Sequence, residues 1–83
     1  MKMENDQPLK KGTLAVLIPS RVSLSSVQRG QVPWYKDITS LMPTGFLSPG
    51  THVLVDEFGP FFCRCISEAG RVYFRLENIQ KVP

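Results

Sequence analysis

The chain carries one histidine and two cysteines in 83 residues, and that scarcity removes most site chemistry at the outset. His52, Cys63 and Cys65 offer at most three metal ligands, and Cys-Arg-Cys lacks the two to four intervening residues of ordinary zinc motifs. The serines Ser20, Ser23, Ser25 and Ser26 have His52 as their single possible base and no nucleophile turn. No glycine-rich phosphate loop precedes a helix. A non-enzymatic protein without cofactor or metal is the expectation. Long apolar runs are also missing. The longest aliphatic run, Leu14 to Ile18, falls far short of the roughly 20 residues that span a bilayer, and the start MKMENDQPLKK lacks the apolar core of a secretion signal. A cytoplasmic location with no membrane partner follows as an expectation. In that setting the thiols stay reduced, and an i to i+2 disulfide fits extended backbone poorly, so both cysteines read as small core residues. No stretch sustains a 3.6-residue apolar period, which predicts no helix beyond about two turns.

What is present is ordinary globular composition: 42% apolar and 20% charged residues. So short a chain forms one domain. The net charge of +3, from ten Lys and Arg against seven Asp and Glu, helps contact with acidic partners without requiring it. Residues 1–11 are polar and contain Pro8, which predicts a flexible N-terminal arm; residues 12–83 make the domain.

The chain is organised around Gly50 to Val82. Phe61 to Ser67 and Arg71 to Leu76 are rich in aromatic and β-branched residues, with Glu68, Ala69 and Gly70 between them, which predicts an antiparallel hairpin. In its second strand, Val72, Phe74 and Leu76 alternate with Arg71, Tyr73 and Arg75, so the first set faces inward and the second outward. In its first strand the choice lies between Phe61, Cys63, Cys65 and Phe62, Arg64, Ile66. Burying an unpaired arginine is costly, so the cysteines and Phe61 are placed inside and Phe62, Arg64 and Ile66 outside. A register slip of one residue would reverse that choice.

Before the hairpin, the continuous apolar run Thr13 to Ile18 predicts a strand buried on both sides, ended by Pro19. Ser20 to Lys36 reads as an ordered, irregular excursion, with a splayed hairpin turning near Gln28 to Gly30. Asp37 to Met42 has the spacing of one helical turn, and PTGFLSPG reads as a connector anchored by Phe46 and Leu47. His52 to Phe58 predicts a strand with Val53 and Val55 on one face and His52, Leu54 and Asp56 on the other. After the hairpin, LENI reads as one tight helical turn before a short last strand, Gln80 to Val82.

That order of pieces resembles the small five-stranded barrel of the Src-homology-3-like class, over Gly12 to Val82. The expected fold is therefore all-β: a small five-stranded Src-homology-3-like barrel, a long irregular loop after the first strand, and a short helical turn before the last. The resemblance implies that the last strand pairs back with the first. The acidic ALYDY-type run and the aromatic-proline pair before the helical turn are absent, so proline-rich peptide recognition is not implied with it.

The candidate site is the outward hairpin face, Phe62, Arg64, Ile66, Arg71, Tyr73 and Arg75, with Trp34 and Tyr35 of the excursion as its rim. Aromatic and arginine side chains are the common anchors of interfaces. The plainer reading is a face covered in part by the excursion, with arginine stems over Phe62 and Tyr73. For Trp34 and Tyr35, pinning the loop to the barrel competes with meeting a partner. The expected function is a regulatory or accessory module that docks onto a partner protein through this face. The alternative is a nucleic-acid binder using the same groups.

Overall fold

The computed structural model describes residues 9–19, 30–40 and 42–83. Among these the chain is mostly strand: β1 (Leu14–Leu17), β2 (Val32–Trp34), β3 (Gly45–Leu47), β4 (His52–Phe58), β5 (Phe62–Ser67), β6 (Gly70–Arg75) and β7 (Ile79–Lys81). A single 3-10 turn, Leu76–Asn78, separates β6 from β7. Five strands form one antiparallel sheet in the order β6-β5-β4-β1-β7, and β2 with β3 forms a separate ribbon. The last strand does pair back onto the first, with Val16 opposite Gln80. No ladder among the described residues joins β6 to β7, so the five-stranded sheet is open and does not close on itself as a barrel. Instead the ribbon approaches the β6 edge, where Tyr35 bridges to Tyr73. No helix among the described residues is long and apolar enough to cross a membrane.

Alternation sets the core. Val53 and Val55 of β4, Cys63 and Cys65 of β5, and Val72 and Phe74 of β6 are buried with Ala15, Leu17, Val32 and Ile79. Cys63 lies directly opposite Phe74, and Cys65 lies between Val55 and Val72, so small thiols face the larger side chains. A bulge at Asp56 lets Val55 stay inward while Glu57 moves opposite Arg64 on the outer face. The hairpin turn is shorter than expected, Glu68 and Ala69 alone, and Gly70 at φ +99° already pairs with Ser67. Among the described residues Asn78 is the buried polar one: its Nδ2 donates to the Ile18 carbonyl at 3.0 Å, and the Ile18 amide donates to the Asn78 carbonyl at 2.9 Å. Those two bonds tie the entry of β7 to the end of β1.

Several expectations need correction. The first strand is buried on one face only: alternation puts Ala15 and Leu17 in the core and leaves Leu14 exposed. Phe61 is not inside: it precedes β5 and is 76% exposed. The reason is local, because the Gly59 amide donates to the Phe62 carbonyl and the Leu76 amide to the Phe61 carbonyl, so alternation begins only at Phe62. Asp37 to Met42 is not helical over its described part. The Asp37 carboxylate accepts the Thr39 amide at 3.1 Å, a local bond that competes with helix and leaves a plain turn. The connector contributes a strand, since Phe46 of β3 pairs with Pro33 of β2. The splayed hairpin expected near Gln28 to Gly30, most of the Ser20 to Lys36 excursion, and arm residues 1–8 lie outside the described residues. Leu9 packs against the core and the Gly12 amide donates to the Val55 carbonyl at 2.7 Å, so the stretch entering β1 is tied down.

Phe74→Ala should cost about 3–5 kcal/mol, enough to unfold much of so small a domain, whereas Phe61→Ala should change stability by less than about 0.5 kcal/mol. Urea denaturation of the two variants checks this. Equal losses would contradict the facing described here.

Candidate functional site

The six hairpin residues expected on one face do share it, arranged as three rungs: Phe62 opposite Arg75, Arg64 opposite Tyr73, and Ile66 opposite Arg71. The rungs differ in chemistry.

The first rung is built with Tyr35. The Tyr35 ring meets the Phe62 ring edge to face, centroids 5.6 Å apart at 75°, and the Arg75 guanidinium lies 5.8 Å from the centroid of each ring. Arg75 Nε donates to the Tyr35 hydroxyl at 3.3 Å. Tyr35 is held there by its backbone: its amide donates to the Tyr73 carbonyl and the Tyr73 amide to the Tyr35 carbonyl, both at 2.8 Å. Tyr35 is only 2% exposed, so it serves the face as a support beneath Phe62 and Arg75. Trp34 points the other way and packs against the core. Its ring fills the space where a side chain at position 45 would stand, since a Cβ on Gly45 would come within 2.6 Å of Trp34 Cζ2. The aromatic pair therefore pins the ribbon to the sheet, one residue on each side.

The second rung is an ion-pair cluster. Arg64 Nε lies 2.8 Å from Asp56 Oδ2 and Arg64 Nη2 lies 3.2 Å from Glu57 Oε1, while Arg71 Nε reaches the same Asp56 oxygen at 3.5 Å. Asp56 stands in this position because of the β4 bulge, and its side chain is only 12% exposed. The hydrogen bond from Arg64 to that carboxylate holds its guanidinium above the ordinary arginine range. Arg64 is thus tied to the protein's own acids, a pairing that the adjacent Asp56 and Glu57 in an otherwise alternating strand could have signalled.

The third rung is mixed, with Ile66 facing Arg71. Ile66 is opposite Leu54, and both are exposed.

Beside the first rung the β4–β5 turn adds groups absent from the sequence-based list. One groove of about 310 Å³ is lined by Ile38, Phe58, Pro60, Phe61 and Phe62, with Arg64 and Tyr73 at its wall. A second, of about 470 Å³, lies between Pro60, Phe61 and Arg75. Phe61, Ile38 and Phe58 are all exposed. The signal for these residues is Phe58-Gly-Pro-Phe-Phe62, three aromatics around a corner where Gly-Pro breaks the alternation.

The cysteines and histidine do not converge. Cys63 and Cys65 are fully buried with sulfurs 3.8 Å apart, whereas His52 is exposed on the outer face of β4. The hydrogen bond to Cys63, together with burial, pushes the Cys65 thiol up, so it stays protonated. No group of three His, Cys, Asp or Glu among the described residues is placed to hold a metal ion.

The contact of Trp34 with Gly45 gives a direct spectroscopic check, because Trp34 is the chain's only tryptophan. Gly45→Ala should displace the indole, red-shift its emission and cost about 1–3 kcal/mol. An unchanged spectrum would contradict the contact. Compared with known protein families, curated proteins and solved structures, this chain has no match.

Proposed function

We propose that the protein is a non-enzymatic regulatory or accessory module that docks onto a partner protein through the Phe62–Arg75 end of the hairpin face and the turn beside it. One observation carries this reading: Phe61, Phe58 and Ile38 stand exposed around two grooves, next to a guanidinium held over two rings. Apolar groups so placed gain by being covered, and an arginine ordered before contact loses little freedom on binding. Trp34 and Tyr35 act as supports of this end. Arg64 and Arg71 shape its neighbour through Asp56.

The strand order supports the finer likeness to Src-homology-3-like barrels: β1, a long excursion, the meander β4 to β6, one 3-10 turn, and β7 returning to β1. Barrels of that class include both accessory subunits and nucleic-acid binders, so the charges on the face must discriminate. Two of its three arginines already share Asp56, which lowers what they offer to phosphates. That favours a protein partner. A cytoplasmic location fits two reduced, buried thiols.

The ion pairs also decide which variants are informative. Charge reversal at Arg64 would set a third carboxylate beside Asp56 and Glu57 and destabilise the sheet, so Arg64 cannot separate binding from folding. Phe61→Ala and Arg75→Glu can. In pull-downs from native extract, with and without nuclease, the parent should retain a protein that nuclease does not release. Each variant should lose it, a cost of about 2 kcal/mol or roughly 30-fold, while the melting temperature stays within a few degrees. Release by nuclease, or capture by both variants at the parent's level, would contradict the reading.

A further inference from the structure

The two grooves beside the β4–β5 turn are adjacent, since Pro60, Phe61 and Phe62 line both. They differ in what completes them. The first adds Ile38 and Phe58 and is an apolar seat; the second adds Arg75 and presents a guanidinium beside the same aromatic corner.

The three arginines of the hairpin face are not equivalent. Arg64 and Arg71 share Asp56, and Arg64 also meets Glu57. Arg75 makes no ion pair among the described residues. Its Nε donates to the Tyr35 hydroxyl at 3.3 Å, and its guanidinium lies 5.8 Å from the centroids of Tyr35 and Phe62. The bond to Tyr35 uses Nε and leaves the two terminal nitrogens as a fork, a geometry that receives a carboxylate through two parallel hydrogen bonds. Arg75 is exposed at the end of β6, and the rings fix its side chain before any contact, so little ordering is left for binding.

The acids nearby narrow the occupant. Glu57 lines the first groove and pairs with Arg64; Glu77 lines the second and is engaged in a contact of its own. A polyanion such as a nucleic-acid strand would bring phosphates against a carboxylate in each groove, and a basic segment would meet Arg75. One carboxylate beside an apolar side chain avoids both costs. Spacing narrows it further. Alternate side chains of an extended chain point the same way about 6.6 Å apart, close to the 5.8 Å between the Arg75 guanidinium and the Phe62 ring that borders the apolar groove.

From this charge pattern and spacing we infer that the partner protein is engaged through an extended segment carrying one acidic side chain two residues from a large apolar one. The carboxylate is received by Arg75 and the apolar group by the groove of Ile38, Phe58 and Phe61. The inference rests on the docking reading above and names what that surface takes.

Selection of random peptides on the immobilised full chain tests this, followed by synthesis of the enriched sequences with both ends blocked, so that every carboxylate is a side chain. The enriched peptides should carry aspartate or glutamate two positions from a leucine, isoleucine, phenylalanine or tryptophan. Replacing that acid by its amide should weaken binding to the parent about tenfold or more, and to Arg75→Gln by less than about twofold. Phe61→Ala should weaken every enriched peptide, and circular dichroism should show both variants folded. Peptides that depend on Phe61 yet carry no such acid, or bind equally well as amides, would overturn the carboxylate inference and leave the docking reading standing. Enriched peptides that ignore both substitutions would overturn the two together. No enriched sequence, or displacement of the peptides by a single-stranded oligonucleotide, would also overturn the inference.

Discussion

An arginine in the middle of a strand that is paired on both sides must find either water or a carboxylate, and β5 is arranged so that Arg64 finds both. With Arg64 outward, alternation leaves Cys63 and Cys65 inward, where only small side chains fit between Val55, Val72 and Phe74. The same alternation forces Phe62 and Ile66 outward. Asp56 then completes the arrangement, because the bulge in β4 delivers its carboxylate to Arg64 and Arg71 without moving Val55 from the core. Core composition, outer face and bulge thus follow from the placement of one charged side chain.

The second determinant is the pair of backbone hydrogen bonds between Tyr35 and Tyr73. The β6 edge would otherwise be open beside Tyr73, and open edges invite unwanted pairing. By bridging there, the ribbon protects part of that edge and brings the Tyr35 ring under Phe62 and its hydroxyl to Arg75. Trp34, one residue earlier, faces the other way and packs against the core, its ring lying over Gly45 of the ribbon's other strand. Loop anchoring and presentation of the face are therefore a single structural event.

The legible parts of the sequence were those governed by alternation. β4 spans the expected His52–Phe58, and the facing of Val72 and Phe74 against Arg71, Tyr73 and Arg75 was readable because every second residue changes character. Phe61 was misplaced because the same rule was extended through a Gly-Pro corner where it does not hold. Val32–Trp34 and Gly45–Leu47 were not readable as partners: each is three residues long, and their pairing depends on contacts distant in the chain. The grooves beside Phe61 share that origin, since they form only when Ile38 of the turn after β2 comes to lie next to the β4–β5 corner.

If the Tyr35–Tyr73 bridge orders the Phe62–Arg75 end of the face, the two tyrosine amides must exchange with solvent as core amides do. Native-state hydrogen exchange followed by NMR measures this residue by residue. Protection of the Tyr35 and Tyr73 amides comparable to that of Val55 is the predicted result. A Tyr35 amide that exchanges at the rate of a solvated loop while Val55 remains protected would show that the ribbon is not held to β6, and the ordered aromatic–guanidinium cluster would lose its foundation.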